Sequence, residues 1–393
     1  MPHRVLSIAC VLSAAALGAC SGDDNDDAPS PARDPLVVEL KRENFQKTVD
    51  GKPVDLYVLR NAKGSQASVT NYGAKIQQLL VPDRRGVLGD VVLGYDSIDA
   101  VIGGQASMGA FIGRYANRIA NARFTLDGVT YQLNANSGPN SVHGGTRGSR
   151  FQVFDAQQLS PRSVEMRYVF RDGEENFPGT LPVRVVYTLD DDDALTIEWQ
   201  ATAEGKATVA NFTGHAFFNL TGDPRVSVVD HVLSVDADRF LPLNATAIPT
   251  GELRPVAGTP MDFRTPKRIG QDIAAVDEQL RLGNGYDHHY VLNRPAGSAA
   301  LAFAARVEEP TSGRVLEVWT TEPGLQVFSG NNLEAKAPRD LGKGGRLFAF
   351  RGAFCLEPSR FPDAPNQPAF PSTVLRPGQT YAGRIVYRFS TGG

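Results

Sequence analysis

Cysteine is nearly absent from this chain: there are 3 in 393 residues, two of them within the first twenty positions. Cys355 stands alone in the remainder, which excludes a disulfide-stapled scaffold and leaves no cysteine cluster for a structural zinc. Excess charge is missing too. The formal net charge is −3 and no basic stretch alternates with aromatics, which argues against a nucleic-acid partner. No G-x-x-x-x-G-K-[ST] loop occurs, nor the strand–turn–helix context it needs, so a phosphate-binding loop of that kind is excluded. No activated serine or cysteine nucleophile and no cofactor motif is visible. The apolar run at residues 5–17 is too short to span a bilayer comfortably.

That run belongs to the opening segment "MPHRVLSIACVLSAAALGAC". A short basic start (His3, Arg4), an apolar stretch and a small-residue end have the pattern of an export signal. Its end, Leu17-Gly18-Ala19-Cys20, resembles the lipobox of bacterial lipoproteins, where the chain is cut before the cysteine and the thiol is acylated. Residues 1–19 are then a signal peptide and Cys20 a lipidation site. The protein is expected to be extracytoplasmic, held to a membrane only through that lipid, facing the periplasm or cell envelope. An ordinary secretory signal cut near Ala19 is the alternative. Residues 20–35 include "SGDDNDDAPSPARDP", too polar and acidic to offset the entropy of ordering, and read as a flexible tether.

What is present is apolar substance in short alternating pieces. Hydrophobic residues make up 41% of the chain, enough to bury a large core. "VEMRYVF" (164–170), "VRVVYTL" (183–189), "ALTIEWQATA" (194–203), "VLEVWTT" (315–321) and "GRIVYRFS" (383–390) alternate as half-buried strands do. Asp190-Asp191-Asp192-Asp193 reads as a solvated hairpin turn. With 39 Gly and 26 Pro between short strands, the fold class is all-β, of sandwich or barrel type. Residues 268–282 are the one candidate helix. No repeat and no shift in composition divides residues 36–393, which are expected to form a single domain.

Five histidines lie beyond the export segment. His143, in "NSVHGGTRG", is either a loop residue or a ring aimed into a cleft. His215 sits in "GHAFFNL", between an apolar approach and an aromatic pair. His231 alternates along a strand and reads as a structural ring. In "GYDHHYVL", strand parity places Asp287 and His289 on one face and His288 on the other. An Asp-His-His metal centre would need a bulge there, and no metal is expected. Glu357 ends an apolar strand in "GAFCLEPSRFP". It is either desolvated, with a pKa raised from about 4.3, or salt-bridged to Arg351 or Arg360. Cys355 reads as an inert buried thiol. "GRYANRIANARFTLDG" supplies Arg114, Asn117 and Arg118, and arginine can fork onto paired oxygens. A set of Arg, His, Asp, Gln and Glu at apparent strand ends suits proton transfer on a polyhydroxylated substrate.

The residue blocks also resemble a known family. "VTNYGAKIQQLLVPDRRG", "GRYANRIANARFTLDGVTYQLNANSGPNSVHGG", "EENFPGTLPVRVVYTL", "GHAFFNL", "GYDHHYVL", "TEPGLQVFSGNNL" and "CLEPSRFPDAPNQPAFPSTVLRPGQTY" resemble, in order, the aldose 1-epimerases (galactose mutarotases) over residues 37–392. The resemblance implies a large antiparallel β-sandwich with the sugar in an open cleft. It implies interconversion of the α and β anomers of hexoses such as glucose and galactose, with neither metal nor cofactor. Matched residue by residue, Glu357 is the general base and His215 the general acid. His143, Arg118, Asn117, Asp287 and Gln326 fall on sugar-binding positions. Gly144 and Gly145 would let the sugar approach the backbone. Departures at Gly214, Ala216 and Phe217 leave the sugar preference open. Mechanistically, Glu357 would act as carboxylate and His215 as imidazolium, its charge supported by a carboxylate such as Asp287. The alternatives are a non-catalytic sugar-binding lipoprotein and an epimerase of a phosphorylated hexose. A monomer and a homodimer are equally compatible with the sequence.

Overall fold

The period-two segments assemble into a nine-stranded antiparallel sheet. Its order is Asp155–Ser160, Ser163–Phe170, Leu181–Leu189, Ala194–Thr202, Thr380–Thr391, Arg314–Thr320, Ala302–Glu308, Val232–Val235 and Lys267–Arg268. This computed structural model describes residues 1–3 and 31–392; most of the expected signal peptide, Cys20 and the first part of the tether lie outside the described residues. Alternation does what the sequence requires of it. Val183, Val185, Tyr187 and Leu189 are buried, as are Leu195, Ile197 and Trp199 on the next strand, with which they are in register. Each buried side chain of this size contributes roughly 1.5–3 kcal/mol.

Two shorter antiparallel sheets complete the core. One runs Leu56–Arg60, Gln66–Thr70, Lys75–Pro82, Leu88–Asp90; the other Arg254–Pro255, Arg239–Leu241, Asp287–Val291, Gly324–Phe328, Cys355–Ser359. Val69 and Leu79 of the first, Leu325, Val327 and Leu356 of the second, and Val185, Ile197 and Tyr387 of the long sheet belong to one buried apolar cluster. The fold is the expected β-sandwich, and Pro31–Gly393 is one compact unit.

Two boundaries differ from expectation. Main-chain pairing begins at Ala32, whose carbonyl accepts from Leu88 N at 2.8 Å, while Asp34 N donates to Leu88 O at 2.8 Å. The end of the tether is therefore already docked on a sheet edge. In the candidate helix at 268–282, only Glu278–Gly283 is helical, capped by the Asp277 side chain on the amides of Gln279 and Leu280. Its first residue is taken by the sheet, Arg268 pairing with Val232, and turns follow up to Asp277. Among the described residues no helix is long and apolar enough to cross a membrane.

Candidate active site

The five-stranded sheet sets one wall of the site by parity. Across it His289 pairs with Gln326, and Gln326 with Glu357. Leu325, Val327 and Leu356 face the core, so the residues between them must face away. Asp287, Gln326, Phe328 and Glu357 do so, and line a cleft of about 480 Å³. The facing wall comes from loops. Arg118–Ile119 pairs with Ser141–Val142, Arg118 opposite Val142, which brings Asn117 and Arg118 beside His143. His215 follows Thr213–Gly214 and is pinned by its amide to Ala110 O and by its carbonyl to Gly109 N, each at 2.9 Å. All seven residues expected in the cleft line it together.

The polar contacts divide the cleft into two groups. Gln326 Nε2 donates to Asp287 Oδ1 at 2.7 Å, and Arg118 Nη2 lies 3.5 Å from Asp287 Oδ2. Opposite them His215 Nε2 lies 3.4 Å from Glu357 Oε1. The rings of His143 and His215 meet edge to face with centroids 5.1 Å apart, and Phe217 stacks on His215 at 5.1 Å. His143 Nδ1 accepts from Asn117 N at 3.2 Å, so in the neutral ring the proton sits on Nε2, making it a donor.

Burial decides the charges. His215 is 6% exposed and Glu357 3%. Burial pushes the Glu357 carboxyl well above its usual range; the neighbouring Asp287 carboxylate adds to this, and Arg118 opposes it. Burial likewise pushes His215 down to about 4. Arg150 adds to the depression, while its own main chain and Asp287 resist it. His143 is held well below its usual value by burial, His215, Arg150 and Arg118. The expectation that Asp287 would sustain an imidazolium at His215 is therefore corrected: desolvation outweighs it, by roughly 3 kcal/mol for a fall from 6.5 to about 4. Burial thus favours a protonated carboxyl opposite an uncharged imidazole in the free cleft. That pair has as many protons as carboxylate and imidazolium.

The other expectations resolve by position. Glu357 is not salt-bridged to Arg351 or Arg360; Arg351 Nη2 donates to Asn284 O at 3.2 Å, and Arg360 covers the Tyr381 ring at 3.7 Å. Gly144 and Gly145 do not open the cleft to a sugar. Gly144 has φ +79° and a Cβ there would lie 2.2 Å from Gly113 O; at Gly145 it would meet the Glu175 carboxylate. They fit the His143 loop to the scaffold. At Gly214 a Cβ would lie 2.8 Å from the terminal methyl of Ile197, which would have to shift to admit it. Arg114 is buried scaffold, its guanidinium on the carbonyls of Arg171, Pro178 and Gly179. His231 Nε2 accepts from Leu220 N at 3.1 Å, a structural ring as expected. Cys355 is buried and its thiol is pushed well above its ordinary value by burial.

Among the described residues one group has metal-ligand types within reach: nitrogens of His143 and His215 and an oxygen of Glu357, all within 4.8 Å of one another. The hydrogen bond from Asn117 to His143 Nδ1 leaves a proton on Nε2, where a metal would need a lone pair. The arrangement suits hydrogen bonding to oxygen better than coordination. Asp287, His288 and His289 do not converge: His288 packs against Phe240 and His289 against Phe361. Arg150, Phe328, Gln105, Asn331 and Asn332 also line the cleft and were missed. Phe328 was available from parity, two residues after Gln326. The others stand on loops, where no period applies.

Comparison with known proteins agrees with this geometry. The family described as "Aldose 1-epimerase" matches residues 55–388. A galactose mutarotase from Bos taurus is 41% identical over 329 residues, 83% of this chain and 91% of its own length. An aldose 1-epimerase from Escherichia coli (strain K12) is 36% identical over 342 residues, 86% of this chain and 96% of that one. The crystal structure of an aldose epimerase homologue from C. elegans superimposes with a TM-score of 0.78 at 31% identity, covering 86% of this chain and all of the other. The chain belongs to the aldose 1-epimerase family.

Proposed function

We propose that Glu357 and His215 exchange protons with the anomeric hydroxyl and the ring oxygen of a hexose, and that the other cleft side chains hold the sugar for that exchange. The protein is an isomerase of the aldose 1-epimerase type, interconverting α and β anomers. Glu357 takes the proton from O1 as His215 gives one to O5, and the ring opens to the aldehyde. Rotation about C1–C2 presents the other carbonyl face, and the reversed transfers close the ring with the opposite configuration. No atom or electron is gained or lost.

The observation that carries this reading is the 3.4 Å approach of two buried proton-handling groups in one cleft. Because the neutral and ionic pairs hold the same protons, the sugar need only move one proton from Glu357 to His215. Its hydroxyls, with Arg118, supply hydrogen bonds that favour the carboxylate. The Nε2–H of His143 and the fork of Arg118 donate to sugar oxygens; Asp287, steadied by Gln326, accepts from hydroxyls. A phosphorylated hexose fits poorly: Arg118 already faces Asp287, and Arg150 is engaged by main-chain carbonyls. Polarimetry of fresh α-D-glucose, α-D-galactose and α-D-glucose 6-phosphate tests this. Acceleration of the free sugars is expected; acceleration of the phosphate ester alone would overturn it.

We further infer that Cys20 is acylated and tethers the domain outside the cytoplasm. The lipobox-like end of the export segment and the acidic stretch after it support this. Labelled palmitate should enter the wild-type chain and not Cys20→Ser; equal labelling of both would contradict it.

A further inference from the structure

Arg150 is a charged cleft residue for which the reaction above has no use. It is 6% exposed and stands in the short turn Ser149–Phe151, directly after the His143 loop. Its Nη1 donates to His143 O at 3.0 Å and Val142 O at 3.4 Å, and its Nη2 to Gly145 O at 3.1 Å. Its Nε is buried without a partner. The carboxylate near it, Glu175, is already engaged by Asn134, Thr146 and the amide of Arg147. Behind it lies Lys75, fully buried over the Tyr72 ring, its amine pushed down to about 7 by burial and by Arg150 itself.

We propose, resting on the acid–base reading of this cleft, that Arg150 is a positioning residue for the reaction: its fork fixes the main chain that aims His143, and it sets a buried positive charge beside both cleft imidazoles. The loop it fixes needs fixing. His143 itself has φ +52°, and Gly144 and Gly145 follow with φ +79° and +94°. Such backbone holds only where its surroundings over-determine it, and three carbonyls gripped by one rigid fork do this. The same bonds set the imidazole so that Nδ1 meets Asn117 N and Nε2–H faces the sugar.

The electrostatic half follows from what surrounds the rings. His215 is faced by Glu357, Asp287, Arg118, Arg150 and His143; His143 by His215, Arg118 and Arg150. Arg118 pairs with Asp287, and burial favours the uncharged Glu357 carboxyl in the free cleft, whereas Arg150 makes no ion pair and feels only the more distant Glu175 carboxylate. An imidazolium formed before the sugar arrives would sit against that charge. It can form when the sugar turns Glu357 into a carboxylate 3.4 Å away. Arg150 thus ties the acid form of His215 to the presence of substrate.

Two measurements test this. In histidine ¹⁵N spectra of the wild-type protein, His143 and His215 should stay uncharged down to about pH 5.5, with His143 as the Nε2–H tautomer. In Arg150→Met the acidic limb of the kcat/KM profile should move up by about one pH unit, and kcat should fall by about tenfold with KM changed far less. Arg150→Lys, which keeps charge but not the fork, should retain the wild-type limb with reduced kcat. Either cleft histidine titrating at pH 6 or above in the wild type overturns the proposal, as does a wild-type pH profile in Arg150→Met. Should Arg150→Met not fold, Arg150→Lys decides, and a wild-type kcat in that variant overturns the proposal. A protein inactive on every free hexose would sink the epimerase reading instead, and the His143 tautomer compared between wild type and Arg150→Lys would still judge Arg150.

Discussion

Asp287 is the side chain on which the proposed sugar-binding half of the cleft is hung. Gln326 donates to one of its oxygens at 2.7 Å and Arg118 stands 3.5 Å from the other, so its orientation is set before any sugar enters. Asp287→Asn removes the charge that holds Arg118 and should raise KM about tenfold or more while kcat changes less; steady-state kinetics on galactose checks this. Phe217 acts on the other half. Stacked on His215 and nearly wholly buried, it keeps water from the ring. Phe217→Ala should destabilise the fold by roughly 3–5 kcal/mol and raise the His215 pKa from about 4 towards 6.5, because burial is the main cause of its depression. Denaturant melts and histidine titration read the two effects. Asp287 and Glu357 were legible as candidates because each stands in an apolar or aromatic strand segment. Asp287 opens its strand, Glu357 sits at the middle of its strand rather than the expected end, and their shared face depends on pairing across Gly324–Phe328. The charge states were not legible. Sequence shows which groups can titrate, whereas desolvation depends on what covers them.

Between the sheet and the chemistry stand loops held in left-handed backbone. Gly144 is one tight point, at φ +79° with Gly113 O 2.2 Å from where a Cβ would lie. Gly144→Ala should therefore lose roughly 2 kcal/mol or more of stability through strain and overlap, and should lower kcat by displacing His143; chemical denaturation with parallel polarimetry separates the two losses. The strands were readable because alternation survives in sequence: Leu181–Leu189 and Ala194–Thr202 carry the pattern through nine residues each. The candidate helix at 268–282 was over-read. Its apolar spacing is compatible with a helix, but the edge of the long sheet takes Lys267–Arg268 first. Capping decided what remained, since Asp277 starts a helix where its side chain can reach two free amides. The purpose of the paired glycines after His143 was likewise hidden, because what a missing Cβ makes room for is a tertiary fact.

For the whole molecule, buried titratable groups govern the response to acid. The imidazoles of His215, His231 and His288 are pushed down to about 4 and that of His289 to about 3 by burial, and His143 lies well below its usual value. Above pH 6.5 these rings are neutral folded or unfolded. As pH falls below that, the unfolded chain takes protons the folded one refuses, so stability is lost. Glu322, pushed up to about 7, and Glu357 and Asp363, also raised, act in the opposite sense, holding protons that the unfolded chain releases. Five imidazoles outweigh three carboxyls. Tm should fall steadily from pH 6.5 to 4.5, with net proton uptake on unfolding, checked by calorimetry in buffers of different ionisation enthalpy. The sandwich class was legible from the period-two strands and the punctuation between them; the pairing order of nine strands was not, since long-range register leaves no local mark. All of this architecture brings together two buried groups, His215 and Glu357, proposed as the acid and base that act on one sugar ring. The direct test is the decay of optical rotation of fresh α-D-galactose with wild-type protein, Glu357→Gln and His215→Asn at matched concentration. The wild type should outpace spontaneous mutarotation, and each variant should lose about 10²–10⁴-fold while melting near the wild-type temperature; a Glu357→Gln protein as fast as the wild type would contradict the account.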